Sequence, residues 1–272
     1  MRFLCPKCRG RLEKVNNSAV CENGHSYDRS KHGYYNLLLG SGGTHGDNRE
    51  MVLCRKRFLE LGYYKPLSDA VCELVLKYTA AGASVLDTGC GEGYYTDAVE
   101  RALFMRDGES DVSAFDISKD AVGYAARRNV RLKTAVFGSY HMPLADGEFS
   151  LVLNMFSPNA AAEIHRIMQN GGIYIMAIPA AEHLFSLKAA IYEHPYKNEV
   201  QDTALSGFEL LEKRSVSYTM PLCNKDEISA LFGMTPYAYR TRKGDRMNIE
   251  ALDSLSVEAD FLILVYKKVN EV

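Results

Sequence analysis

The sequence predicts a doubly wound α/β domain with a mostly parallel sheet, preceded by a small zinc-ribbon-like module. Three observations carry that expectation. From Glu50 onward, short apolar runs of strand length alternate with stretches whose apolar residues recur at helical spacing. A glycine-rich turn lies between one such strand and the helix that follows it. Three of the seven cysteines fall within the first 21 residues, a clustering that in a reducing compartment points to metal rather than disulfides.

Residues 1–36 are polar and lack long apolar runs, and form the module. Residues 37–49, with the glycine-rich run 40–48 at their centre, read as a flexible linker, and 50–272 as the large domain. Helical spacing covers Met51–Leu61 and Leu67–Tyr78, and Ala83–Asp87 is a strand ending in the glycine turn. Asp111–Phe115 is the next strand, and Ser118 caps a helix to Arg128. Leu132–Phe137 and Phe149–Met155 read as strands, with a helix over Ala160–Met168. Asn170-Gly171-Gly172 stops that helix before a buried strand, Ile173–Ile178. Glu182–Tyr192 is helical, Phe208–Leu222 a long strand, and Asn224 with Glu227 a capping box for a helix to Phe232. Phe261–Tyr266 is the last strand.

Among 272 residues, 47% are hydrophobic and 24% charged, which excludes a disordered tail, a collagen-like fibre and a disulfide mini-protein. The longest apolar runs are far shorter than the roughly 20 residues that cross a bilayer, and no apolar signal core follows Arg2. A cytoplasmic protein is therefore expected. The net charge of −2 conceals a split: residues 1–65 carry +6 and residues 66–272 carry −8. A basic N-terminal fifth suits a polyanionic partner, although charge alone does not separate that from a small metal module showing its leftover charge.

Cys5-Pro-Lys-Cys8, twelve residues, then Cys21-Glu-Asn-Gly-His25 has the spacing of a Cys3His site. Soft thiolates with one imidazole favour zinc, and four protein ligands leave no open catalytic position. The second constellation is Asp87-Thr-Gly89-Cys-Gly91-Glu92-Gly93. Its spacing departs from the dinucleotide pattern, and an acid ahead of the glycines would repel a pyrophosphate but attract an amine. Asp116 ends the next strand, where a carboxylate accepts ribose hydroxyls; alone, it would read equally well as a surface acid. Gly138-Ser139 stands where an adenine would lie. Amine, ribose and adenine together indicate S-adenosylmethionine.

With Asp116, the Asp146–Met155 region and Asn170-Gly171-Gly172, the glycine loop resembles a class I S-adenosylmethionine-dependent methyltransferase, whose sheet has seven strands. More narrowly, the whole chain resembles the bacterial 23S rRNA guanine-N1 methyltransferases, which include macrolide-resistance enzymes. The resemblance rests on Cys5, Cys8, Cys21 and His25; Gly33-Tyr34 and Asn36-Leu37-Leu38; Gly46-Asp47, Glu50-Met51 and Arg57-Phe58-Leu59. It continues through Tyr64, Pro66-Leu67, Gly89–Thr96, Pro158, His183-Leu184 and Met234-Thr235-Pro236. It implies cofactor contacts at Tyr64, Gly91, Glu92 and His183, and an influence on macrolide sensitivity. On the residues alone, Tyr64 could merely pack beneath the sheet, and His183 could equally cap a helix.

No catalytic base is assigned: Asn154, His141 and Glu163 are candidates, each open to a structural role. In the leading reading the module, with Arg2, Lys7, Arg9, Arg11, Lys14, Arg29 and Lys31, grips a 23S rRNA hairpin and presents a splayed guanine. A homodimer is left open. The alternatives are a small-molecule methyltransferase of the same fold and a non-catalytic RNA-binding protein with a vestigial cofactor domain. Steep salt dependence of substrate affinity would separate the first from the second, and retained cofactor would exclude the third.

Overall fold

The computed structural model describes residues 2–40, 46–200, 203–241 and 243–270. The expected linker thus lies partly outside the described residues, at 41–45. The module opens with an antiparallel sheet of β1 (Leu12–Val15), β2 (Ser18–Cys21) and β3 (Ser26–Asp28). Asn16 makes the tight β1–β2 turn at φ 53°, a left-handed conformation that Asn tolerates. Strand β4 (Tyr35–Asn36) follows.

In the large domain, α1 (Arg49–Glu60) starts where the Asn48 side chain accepts the Met51 amide at 2.9 Å. Helix α2 (Lys65–Tyr78) carries Pro66 in its first turn. Then come β5 (Ser84–Thr88), α3 (Tyr94–Asp107), β6 (Asp111–Asp116), α4 (Lys119–Arg128, capped by Ser118), β7 (Lys133–Val136) and β8 (Phe149–Met155). The chain continues through α5 (Ala161–Ile167), β9 (Met168–Pro179), α6 (Phe185–Ile191) and β10 (Phe208–Leu222). It ends with α7 (Lys225–Gly233), α8 (Tyr237–Arg240), α9 (Lys243–Glu250) and β11 (Leu255–Lys268).

The main sheet has the order β10-β11-β9-β8-β5-β6-β7-β4. From β9 to β4 all neighbours are parallel, while β10 and β11 pair antiparallel. Seven strands come from the large domain, as expected, and the module supplies an eighth at the β7 edge. The order reverses between β5 and β8, and the carboxyl ends of these two strands flank the crevice where open α/β sheets bind ligands.

Four boundaries differ from the sequence reading, each for a local reason. Asn170-Gly171-Gly172 belongs to β9: Met168 pairs with Phe149 before the register resumes at Leu151 and Ile173, so the glycines absorb a bulge. Helix α6 begins after Leu184 (φ 57°), because Ala180–His183 forms a turn. Strand β11 starts six residues early and pairs with β10 down to Leu222. Strand β4 has only two residues and no periodicity to announce it.

The module is tied to the large domain more tightly than a flexible linker predicts. No helix lies in the β7–β8 crossover among the described residues, and the module packs there instead. Phe3, Leu12, Tyr35 and Leu37 share one apolar cluster with Phe115, Phe137 and Phe149. The Arg9 guanidinium donates to the carbonyls of Met142 (2.6 Å) and Leu144 (3.0 Å), and Arg2 pairs with Asp111 and Glu148. The Arg29 Nε donates to the Gly33 carbonyl at 3.0 Å. Three of the seven cations expected to grip RNA are thus engaged within the chain. The opposite sheet face is covered by α2, α3 and α6.

Candidate active site

Strand β5 delivers the glycine loop to the crevice. The amides of Gly89 and Cys90 both donate to the Phe115 carbonyl at 2.9 Å, and the Ser157 hydroxyl reaches the Thr88 carbonyl at 2.6 Å. All three glycines have positive φ. At Gly93 a side chain would meet Ala125 of α4 at 2.9 Å, so glycine permits helix packing there. Over Gly91 a side chain would meet nothing nearer than an Arg55 nitrogen at 3.8 Å. That space, bounded by the Arg55 side chain, forms a cradle above the loop.

Asp116 closes the cradle. Its carboxylate accepts the Gly91 amide (3.0 Å) and the Ser118 amide (2.8 Å), while burial raises its pKa against those bonds. Asp87 accepts the Thr96 hydroxyl at 2.5 Å, and burial pushes its pKa up to about 7. Asp87 therefore pins the first turn of α3 as well as facing the loop. Glu92 is buried and ion-paired with Arg128 at 2.5 Å, yet burial still raises its pKa. Among the described residues, four buried side-chain atoms lack a hydrogen-bond partner: Ser113 Oγ on β6, and Asp87 Oδ1, Glu92 Oε1 and the Tyr95 hydroxyl at the loop. Such orphaned atoms are rare in folded proteins, and three of them around one loop fit a site that a polar ligand completes.

The buried Tyr64 hydroxyl lies near His183, and both rings pack on Phe261. Gly138 stands beside Ile117, the residue after Asp116, which puts Ser139 at the same end of the sheet. Of the three candidate bases, Asn154 is occupied with the Ser157 amide and the Pro158 carbonyl. Burial works against the Glu163 charge, but Arg166 and the Met142 amide hold its pKa below the usual range. His141 is exposed.

Sequence reasoning missed Arg55, Tyr95 and Phe156. Arg55 sits mid-helix among charged neighbours, and Tyr95 is one of two adjacent tyrosines. Phe156 has φ 62°, a conformation costly for a bulky residue, and is 42% exposed beside Tyr95 and Phe261.

In the module, Cys5 Sγ and Cys21 Sγ lie 3.5 and 3.4 Å from His25 Nδ1, and Cys8 Sγ lies 3.6 Å from Cys21 Sγ. All four ligand atoms fall within 4.8 Å of one another. A tetrahedral zinc with Zn–S of about 2.3 Å and Zn–N of about 2.0 Å has edges of about 3.5–3.8 Å, so the donors fit that ion. Lys7, Arg11, Lys14 and Lys31 are exposed on the same module.

Residues 3–39 match the zinc-ribbon family described as RlmA, N-terminal, and residues 85–172 match a methyltransferase domain family. A 23S rRNA (guanine(748)-N(1))-methyltransferase of Streptomyces fradiae is 34% identical over 195 residues, 70% of this chain and 68% of that one. The Bacillus subtilis protein YxjB, provisionally described as a 23S rRNA (guanine-N1)-methyltransferase, is 30% identical over 98% of this chain and 97% of its own. A chain of the complex between the Haloferax volcanii Trm112 methyltransferase activator and a provisionally named methyltransferase superposes with TM-score 0.50 at 18% identity. It covers 83% of this chain and all of that one, a likeness of fold. No helix among the described residues is long and apolar enough to cross a membrane.

Proposed function

We propose, given that the chain belongs to the 23S rRNA (guanine-N1)-methyltransferase family, a specific assignment of its working parts. Tyr64, Asp87, Gly89, Gly91, Glu92, Gly93, Asp116, Ser139 and His183 form the S-adenosylmethionine site. Cys5, Cys8, Cys21 and His25 hold one structural zinc. The module's free cations grip an rRNA hairpin whose target guanine is unstacked into the crevice.

The observation that carries the cofactor assignment is the set of orphaned buried atoms around an open glycine cradle. Bound there, S-adenosylmethionine supplies an electrophilic methyl group. Asp116 keeps lone pairs beyond its two amide bonds for the ribose hydroxyls. Asp87 Oδ1 awaits the ammonium, whose charge would return the carboxyl to its ionised form. Tyr64 and His183 pack on Phe261, which touches Phe156 and, through it, Tyr95 at the start of α3.

Phe156 is the natural wall for the guanine. It is an exposed aromatic ring at the carboxyl end of β8, held in a strained conformation next to the residue that packs on Gly89. An unstacked base gains a π-face there in exchange for its lost neighbours. Lys7, Arg11, Lys14 and Lys31 support phosphate contacts at the module, on the same side of the chain's charge split that suits a polyanion.

The test is methyl transfer from labelled S-adenosylmethionine to 23S rRNA fragments, followed by mapping of the product. N1-methylguanine within a hairpin fragment, with affinity falling steeply as salt rises, is the expected outcome. Transfer to small neutral acceptors with no salt dependence would support the small-molecule reading and reject this one. Asp116→Asn should bind S-adenosylhomocysteine about 10- to 100-fold more weakly, and should also melt lower, because its NH2 group cannot accept the second of the two backbone amides.

A further inference from the structure

We propose that Arg55 is the residue that holds the carboxylate of the cofactor's amino-acid end. This rests on the S-adenosylmethionine site proposed above and adds to it the group that recognises the one anionic part of that ligand.

Arg55 lies on helix α1, and its guanidinium reaches the glycine loop. Its Nη1 is 3.8 Å from the point a side chain on Gly91 would occupy. Burial lowers the Arg55 pKa, and the groups that face it are Asp116, Glu92, Tyr95 and Tyr64. A half-buried guanidinium, 29% exposed here, favours anionic or carbonyl partners for its five donors. The described residues offer it the Asp47 carboxylate and, at 3.5 Å, the Met234 carbonyl. Nearby acids do not meet the rest of the demand. Asp116 is occupied with two backbone amides, and Glu92 is paired with Arg128. Arg128, in turn, is committed to Glu92 and Glu60. Arg55 therefore has donor capacity left, beside an open cradle.

Charge complementarity fixes which part of the ligand belongs there. The amino-acid end carries an ammonium and a carboxylate on one carbon. The orphaned Asp87 oxygen answers the first and Arg55 the second, with bidentate geometry available to a guanidinium and not to an ammonium. Asp47 keeps the fork aimed before the ligand arrives. Its backbone carbonyl accepts the Ser118 hydroxyl at 2.9 Å, two residues after the ribose-binding position. A single short segment thereby links the ribose turn to the carboxylate-binding side chain.

Calorimetry with two ligands tests this without reference to turnover: S-adenosylhomocysteine and its decarboxylated analogue, which keeps the amine. The wild-type protein should prefer the intact ligand by about 10- to 100-fold, the range expected for charge-assisted hydrogen bonds. In Arg55→Gln that preference should collapse to near unity, with affinity for the decarboxylated analogue almost unchanged. Arg55→Lys, which retains the charge without the fork, should fall between, and serves if the glutamine variant does not fold. Equal weakening of both ligands, or an unchanged preference in either variant, would overturn the proposal and leave Arg55 a structural residue. If the wild-type protein bound neither ligand, the cofactor site itself would be wrong, an outcome distinct from loss of preference.

Discussion

The Tyr64 hydroxyl stands 3.4 Å from His183 Nε2, while the opposite ring nitrogen, Nδ1, accepts the Asp260 amide at 3.3 Å. With Nδ1 an acceptor, the proton of the neutral ring sits on Nε2 and points at the tyrosine oxygen. Burial, and then the Lys188 ammonium, lower the His183 pKa to about 3. His183 is thus a fixed hydrogen-bond donor near neutrality and not a proton acceptor.

That arrangement has a signed consequence for acid stability. The unfolded chain binds a proton at His183 near pH 6.5, and the folded chain does so only near pH 3. The stabilisation is complete above pH 6.5 and is lost as pH falls toward 3, by up to about 1.4 kcal/mol per unit. Thermal melts at pH 7.5 and 5.5 should drop more for the wild type than for His183→Gln, which cannot titrate. Equal drops would mean that His183 is not buried neutral.

Zinc removal should destabilise the whole protein. Cys5, Leu12 and Cys21 belong to the same apolar cluster as Phe115 and Phe149, so the module and the sheet share a core. Elemental analysis should give about one zinc per chain, as a closed structural site requires. Cys21→Ser should lower the single melting temperature by several degrees rather than melt residues 1–36 separately. Two resolved transitions would contradict the shared core.

Phe156→Gly separates strain from recognition. Glycine accepts the left-handed backbone freely, which offsets part of the packing lost against Tyr95 and Phe261, so the melting temperature should fall by no more than a few degrees. Loss of a stacking face should nevertheless cost about 1–3 kcal/mol in substrate binding, read as a higher KM. With 2-aminopurine at the target position, the wild-type protein should quench fluorescence and the variant should not. A variant that melts early and quenches normally would make Phe156 a packing residue.

Much of this site was legible before the structure. Asp87, the glycines and Asp116 are spaced by the strand–turn–helix unit itself, and the zinc ligands by two local turns, so short-range spacing is enough. Arg55 and Phe156 were not legible. Arg55 takes its role from a guanidinium that reaches a loop 36 residues later, and Phe156 from a backbone angle that leaves no mark in composition. The second role of Arg9 was hidden for the same reason: it is exposed, as a cation followed by Gly-Arg suggests, yet its guanidinium also donates to two carbonyls more than 130 positions away.

The RNA grip should follow the cations that remain free. Changing Lys7, Arg11, Lys14 and Lys31 singly to Glu should each reduce the log–log salt slope of RNA affinity by about 0.7–0.9 per lost phosphate contact. Arg9→Glu should instead lower the melting temperature, since it undocks the module. A salt slope untouched by all four changes would move the RNA surface away from the module.

Strand β4 is two residues long, yet it sits against the outer edge of β7, pairing Tyr35 with Ala135 and Asn36 with Val136. Without it, that edge would offer unpaired amides and carbonyls to any neighbouring chain. The metal-held module is therefore also a guard against self-association. Protein stripped of zinc would be expected to clump through its sheets before it simply lost activity, and the two cysteine turns at the start of the chain would matter for solubility as much as for RNA.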